Sequence, residues 1–334
     1  MKLLRYIAFP FMPFYYAVTW MRNILYDFGV KSSKSYDFPL ICVGNLSTGG
    51  TGKTPMVEYL IRLLKTDCNL ATLSRGYGRK TKGFQIGTET ASAEILGDEP
   101  FQFYSKFSDD IRVAVDGDRQ NGIAKLLALK PTPEVVVLDD AFQHRKVKAG
   151  FNILLTTFAN PYVDDWVLPT GNLREPRTGA KRAQAIMVTK CPEGINEVQK
   201  KKIIDKIKPK NGQNVFFSTI SYGKSVISKK DALELKTLPK FTLVTGIANA
   251  ESLVTFLKQK HLDFSHLEYK DHYHFSENDV KDIAKNDLIV TTEKDYMRLK
   301  DWEAFNDKLY YLPIETQIDE SEVFDGLVRK FVFN

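Results

Sequence analysis

Short apolar runs separated by polar turns set the rhythm of this chain. Residues 39–43 (PLICV) form one run, closed by Gly44, and residues 55–64 (PMVEYLIRLL) follow with apolar positions at helical spacing. Strand, glycine-rich turn and helix therefore make the first unit. Further strands are expected at 69–74, 111–115, 135–138, 153–156 and 185–189, all short, apolar and mostly β-branched. Such runs mark strands buried on both faces of a parallel sheet. Helical stretches fall between them, for instance 120–129, and this alternation predicts a doubly wound α/β fold. Near 214–225 the pattern changes to short strands, beginning with Val215-Phe216-Phe217, and a charged stretch runs over 229–240. A new strand, turn and helix start at Phe241, and a second alternating set continues through 288–290 to 309–312. The expected division is an N-terminal hydrophobic, membrane-associated helix over 1–30 and a large α/β domain over 38–215. A β linker over 216–240 and a smaller α/β domain over 241–334 follow.

The N-terminus departs from this pattern. Residues 6–21 carry no charged side chain and are bracketed by Arg5 and Arg22. The segment is short for a spanning helix, which needs about 20 apolar residues. Pro10 and Pro13 interrupt it, and Phe9, Phe11, Phe14, Tyr15, Tyr16 and Trp20 are residues that settle at the headgroup level. No small-residue cleavage site follows it. An interfacial anchor is the reading taken, over a helix packed on the protein's own core.

Composition adds bounds. Hydrophobic residues make up 43% and charged residues 26%, ordinary for a globular chain long enough to bury a sizeable core. A net charge of +6 suits a phosphorylated partner or an anionic membrane, and with no basic–aromatic groove pattern it gives no case for nucleic acid. Cys42, Cys68 and Cys191 show no paired spacing, so neither a disulfide frame nor a zinc site is expected, and a reducing cytoplasm fits.

The sharpest chemical signal is the run Ser47, Thr48, Gly49, Gly50, Thr51, Gly52, Lys53 and Thr54. It matches the phosphate-loop pattern except that Ser47 stands where the first glycine belongs. Glycines let backbone N–H groups turn inward on phosphate oxygens, and the following helix N-terminus adds a favourable dipole. Lys53 is placed to reach the β- and γ-phosphates, and the Thr54 hydroxyl to coordinate Mg²⁺. The second part of such sites is an acid closing a buried strand, and residues 135–140 (VVVLDD) supply Asp139 and Asp140. Either carboxylate is a candidate for Mg²⁺, since oxygen ligands and phosphates favour that ion over zinc. His272 and His274 form an HxH pair without a third ligand nearby, a weak zinc pattern.

Eight segments in order then resemble one family, the tetraacyldisaccharide 4'-kinases of lipid A biosynthesis. They are 43–47 (VGNLS), 73–79 (LSRGYGR), 97–100 (GDEP), 138–144 (LDDAFQH), 168–176 (LPTGNLREP), 244–249 (VTGIAN), 271–273 (DHY) and 291–295 (TTEKD). The resemblance implies a P-loop NTPase-like α/β/α sandwich with a smaller α/β domain and a membrane-interface helix. It implies transfer of the ATP γ-phosphate to the 4'-hydroxyl of a tetraacyldisaccharide 1-phosphate at the cytoplasmic face of the inner membrane, with no obligate protein partner. It further implies Asp98 as the base that takes the sugar hydroxyl proton, His272 as its support, and Glu99 as a further magnesium ligand. Arg119 and Arg174 become candidates for charge on the transferring phosphoryl group or on substrate phosphate. Asn45, Tyr77, Gln143, His144 and Glu175 fall in matching segments and are expected along the substrate cleft. Ala141 stands where the family pattern carries glycine, a change that matters only where the backbone needs positive φ. A soluble-substrate P-loop kinase and a nucleotide-switch ATPase are the competing readings. The second lacks its extra lysine, since Thr48 stands in that place.

Overall fold

The computed structural model describes residues 8–271, 273–305 and 307–334. Helix α1 (Met12–Asp27) opens the chain. The first unit then runs β1 (Leu40–Asn45), α2 (Lys53–Leu64), β2 (Leu70–Ser74), β3 (Gln85–Ile86), α3 (Asp98–Phe107), β4 (Arg112–Val115), α4 (Arg119–Leu127) and β5 (Val135–Asp139). It continues with β6 (Phe151–Thr157), β7 (Ala185–Thr189), α5 (Glu197–Ile207) and β8 (Asn214–Tyr222). The second unit holds β9 (Ser225–Ile227), β10 (Ala232–Glu234), β11 (Phe241–Thr245), α6 (Glu251–Gln259), β12 (Phe264–Glu268), α7 (Glu277–Ile283), β13 (Ile289–Thr292), α8 (Glu293–Leu299) and β14 (Leu309–Leu312). Strand β15 (Ile314–Ile318) and helix α9 (Ser321–Phe333) end the chain.

The large sheet has the order β15-β8-β7-β6-β1-β5-β2-β4-β3, parallel except for β3 and β15 at its edges. Alternation along β1 explains why it lies at the centre. Leu40 and Cys42 enter one core, with α4, α5 and the Met12 end of α1, whereas Ile41 and Val43 enter the other, with α2, Phe103 of α3 and α9. Both faces are thus covered by helices, the three-layer arrangement expected of buried parallel strands.

The smaller sheet has the order β10-β9-β14-β13-β11-β12. Helix α6 covers one face through Leu253 and Leu257, and α7 and α8 cover the other. That second core also takes in Leu96, Phe101 and Val115 from the first unit, so the two sheets share apolar packing beside α3.

The chain is divided differently from the expected boundaries at both ends of the second unit. Strand β8 extends the large sheet, and its outer half pairs with β15 through Ser218↔Ile318 to Tyr222↔Ile314. Residues 314–334 therefore lie on the large sheet rather than with 241–312. The cause is an apolar face: Phe324 and Val328 are fully buried, and Phe324 meets Tyr59 and Phe216 edge-on at 6.0 and 5.2 Å. Among the described residues no helix is long and apolar enough to cross a membrane.

Candidate active site

The phosphate loop joins β1 to α2 at the carboxyl end of the central strand, where ligands of such sheets bind. Gly49 and Gly52 take left-handed backbone angles, φ +110° and +86°, which a side chain would strain. Neighbouring strands buttress the loop. Asn45 Nδ2 donates to Thr51 Oγ1 at 2.8 Å, and Thr189 Oγ1 donates to the Thr51 carbonyl at 2.8 Å. The amide of Thr48 donates to the Asn172 carbonyl at 2.7 Å, and that of Arg174 to the Leu46 carbonyl at 2.7 Å. Ser47 lies between these bonds in an antiparallel bridge with Leu173, an extended setting that does not require glycine.

Asp139 closes β5 beneath the loop. Its carboxyl is buried, accepts from Ser74 Oγ at 3.2 Å, and is pushed up to about 6 by burial first and then by the Asp140 charge. The Glu99 charge also raises it, which places Glu99 within electrostatic reach. For Asp140, burial is outweighed by Lys53, 3.8 Å away, and by Arg174, and its carboxyl lies below the usual range. Arg174 grips it with two bonds of 2.9 and 3.2 Å and also reaches Asn45 Oδ1. Two adjacent carboxylates are thus driven apart, one held as an anion by cations and one buried without enough positive charge.

That deficit, together with the hydroxyl and carboxylate donors, fits a hard divalent cation. Among the described residues no three His, Cys, Asp or Glu side chains gather closely enough to hold a metal by themselves. This suits Mg²⁺, which is commonly bound by one or two carboxylates together with substrate phosphates. Asp140 itself has φ +46°, while Ala141 is not among the positive-φ residues, so the methyl group at 141 meets no backbone objection.

Across the cleft, Gly97 at φ +91° turns the chain into α3, and Asp98 and Glu99 form its first turn. A β-carbon on Gly97 would lie 2.8 Å from the Tyr77 carbonyl, so only glycine lets the loop containing Tyr77 pack here. Asp98 is joined to the second unit: Arg298 donates to Asp98 Oδ2 from Nη2 at 2.5 Å and from Nε at 3.1 Å. Arg298 is itself held by Asp295 at 3.2 Å, and buried Asp295 accepts from the Gly246 amide and the Thr292 hydroxyl at 2.8 and 2.7 Å. Glu99 pairs with Lys294 at 3.3 Å, and Lys294 lies 3.8 Å from Asp271. His272, the expected support of the base, lies outside the described residues.

Other expected residues fall into two groups. Arg119 is 2% exposed and donates to the backbone carbonyls of Asp116 and Asp139 at 2.6 and 3.3 Å. It ties the ends of β4 and β5 from behind rather than opening on the cleft, and burial lowers its affinity for the proton. Glu175, expected along the substrate cleft, is instead enclosed at 1% exposure. Three donors account for this: Asn23 and Arg182 at 2.7 Å each, and Gln143 at 3.0 Å. Gln143 also donates to the Asn45 carbonyl at 2.8 Å, so it braces the loop. His144 is half-buried, and burial depresses its imidazole pKa. Tyr77 is exposed.

The same network binds helix α1. Tyr15 donates to the Arg174 carbonyl at 2.9 Å and Arg22 to the Gln143 carbonyl at 2.8 Å, while Asp27 receives Arg145 and Lys181. The other side of α1 is bare and apolar, with Phe14 at 75% and Val18, Trp20 and Met21 near half exposure, and Phe11 just before the helix is 70% exposed. Sequence reasoning missed Arg298 as a site residue, along with Tyr15 and Asn23. The only local sign of Arg298 is its i,i+3 spacing from Asp295, just beyond the TTEKD segment.

These features agree with comparison to known proteins. The family model described as tetraacyldisaccharide-1-P 4'-kinase matches residues 4–332. A tetraacyldisaccharide 4'-kinase of Flavobacterium johnsoniae is 49% identical over 99% of this chain and 98% of its own. One from Bacteroides fragilis is 43% identical over 90% of this chain and 86% of its own. The crystal structure of LpxK from Aquifex aeolicus, an "apo" form in complex with ATP, superposes with a TM-score of 0.78 at 29% identity, covering 99% of this chain and 100% of that one. With the loop, the paired carboxylates and the bridged acid in place, the chain belongs to the tetraacyldisaccharide-1-phosphate 4'-kinase family.

Proposed function

We propose that this protein carries out its family's reaction, ATP-dependent phosphorylation of the 4'-hydroxyl of tetraacyldisaccharide 1-phosphate in lipid A biosynthesis, with Asp98 as the base. The loop over 47–54 cradles the phosphates, and Lys53 follows the charge that develops on them. The sugar oxygen forms a bond to the γ-phosphorus, its proton passes to the Asp98 carboxylate, and the bond to the β-phosphate oxygen breaks to release ADP. Thr54, Asp139 and Glu99 are the residues to hold Mg²⁺, which neutralises phosphate charge when bound. Arg298 orients Asp98, Arg174 fixes Asp140 beside the loop, and Arg119 sets the height of Asp139.

The observation that carries this reading is the Asp98–Arg298 pair, which joins the base to the second unit beside Glu99, whose charge acts on Asp139. Helix α1 belongs to the same reading. We place its bare aromatic face in the headgroup layer at the cytoplasmic side of the inner membrane, because extracting acyl chains from a bilayer costs about 0.8 kcal/mol per methylene. Its opposite face braces the segment that supports the phosphate loop, which brings lipid and nucleotide to one edge.

The test is transfer of labelled γ-phosphate to tetraacyldisaccharide 1-phosphate in detergent micelles, with Asp98→Ala alongside. Product from the parent and its collapse in the variant support the reading; ATP turnover without lipid product overturns it. Co-sedimentation with anionic vesicles, lost in Phe11→Ser/Phe14→Ser, tests the membrane face.

A further inference from the structure

Three helices that carry site residues converge on one buried cluster of charge that the transfer step does not touch. Glu58 stands on α2, Gln102 and Lys106 on α3, and Glu293 at the start of α8. Lys106 Nζ donates to Glu58 Oε2 at 2.6 Å and to Glu293 Oε1 at 2.8 Å. Gln102 Nε2 bridges the same two carboxylates through their other oxygens, at 2.8 and 3.1 Å. Arg62 adds a bond to Glu58 at 3.1 Å from the rim. Both carboxylates and Gln102 are buried, and the Lys106 side chain is only 14% exposed.

Stability does not account for such a cluster. Withdrawing several charges from water carries a desolvation cost that apolar residues of similar size avoid, and packing by those residues is often as stable or more so. Directional bonds supply register instead. Each anchor also lies close to a residue of the site along a rigid helix. Glu58 follows Thr54 by four residues, Gln102 follows Asp98 by four, and Glu293 precedes Arg298 by five. At 1.5 Å per residue these are separations of about 6–8 Å along each axis. One cluster thus fixes the helices of the nucleotide loop, the base and the base's arginine against one another.

We infer that Glu58, Gln102, Lys106 and Glu293 are positioning residues that carry occupancy of the nucleotide loop to the Asp98–Arg298 pair. A shift of α2 when phosphate binds moves Glu58, and the double bridge moves α3 and α8 with it. The inference rests on the assignment of Asp98 to the transfer step.

Hydrogen–deuterium exchange of segments 47–54, 98–107 and 293–299, with and without ATP and Mg²⁺, reads the linkage without needing turnover. The variants are Lys106→Met/Glu293→Gln, which removes the charged Lys106 half of the bridge without leaving two facing carboxylates, and Lys106→Arg, which keeps it. Gln102→Leu is a milder cut that exposes no charge. In the parent, ATP is expected to slow exchange at 293–299 by about threefold or more. The double variant should lose that slowing while protection at 47–54 stays, Gln102→Leu should lose part of it, and Lys106→Arg should retain it. In the transfer assay, kcat of the double variant should fall about tenfold with KM for ATP within about twofold. Equal slowing at 293–299 in parent and double variant, or none in the parent, overturns the linkage. A parent that makes no lipid product strikes the reading of Asp98 instead, and leaves the exchange result to decide the linkage alone.

Discussion

The nucleotide side and the acid side of this site are built in opposite ways. The nucleotide side is one continuous stretch, 45–54, whose glycines, lysine and threonine are consecutive and whose geometry follows from a strand running into a helix. The acid side is assembled from afar: Asp98 meets Arg298 two hundred residues away, across two sheets that share a core. The first arrangement tolerates local change as long as the backbone can turn. The second depends on the register of whole helices, so its weak points lie where helices meet rather than where chemistry happens.

The strongest test of that contrast is to remove the acid itself. Asp98→Ala should lower kcat by about 10³-fold, the usual scale for a lost general base, with thermal stability little changed. Arg298→Ala comes next. Because Arg298 holds Asp98 by two bonds and is held by Asp295, kcat should fall about 10–100-fold with KM for ATP within about twofold. Equal loss of ATP affinity would mean that the two sides are not built separately.

The same contrast decides what was legible in the sequence. The strands at 135–139 and 185–189 lie where alternation and β-branching put them, because each is buried by its immediate neighbours in the sheet. The loop was legible because its chemistry is local. The role proposed for Asp98 rests on resemblance alone at the level of sequence, since Gly-Asp-Glu-Pro is also what an ordinary turn looks like. Arg298 was invisible because an arginine one turn after an acid is usually a helix-surface pair. Glu175 was placed along the cleft by its matching segment, and its enclosure by Asn23 from α1, Gln143 and Arg182 has no local signature. The return of β15 and α9 to the large sheet depends on Phe324 finding Tyr59 and Phe216, a long-range match with no local signature.

Glu175 gives a prediction that separates bracing from binding. Glu175→Ala leaves Arg182 without its carboxylate and Asn23 without its acceptor, and takes from Gln143 one of its two, so unfolding stability should drop by about 2–4 kcal/mol. Thermal melts should show the loss even without lipid. If instead stability holds and only KM for the lipid rises, Glu175 contacts substrate after all.

A smaller effect with a defined sign comes from Glu293. Burial, then the Glu58 charge, lifts its carboxyl to about 7, against the favourable pull of Lys106 and Arg62. The folded-state pKa stands above the ordinary 4.5, so its contribution to stability is full below that value and is lost as pH rises through about 7. Glu293→Gln cannot ionise. Its stability should therefore gain on that of the parent as pH is raised from about 5 to about 8, in denaturant unfolding at matched ionic strength. A constant difference across that range would mean Glu293 stays ionised, and the cluster would then carry more compensating charge than the bonds from Lys106, Gln102 and Arg62 provide.

The smallest expected effect lies at Ser47, where the loop departs from its own pattern. In the antiparallel bridge with Leu173 its backbone is extended, which serine adopts without strain, and the positive angles fall on Gly49 and Gly52. Ser47→Gly restores the common pattern yet adds only chain entropy, so stability should fall by about 0.5–1 kcal/mol and KM for ATP should move less than about twofold. Gly52→Ala, by contrast, places a β-carbon at φ +86° and should weaken ATP binding far more. The pair of variants differs by one methyl-sized change at each end of the same loop. An affinity gain from Ser47→Gly comparable to the loss from Gly52→Ala would show that position 47 shapes the phosphate cradle, and that the nucleotide side, like the acid side, depends on a distant strand segment for its form.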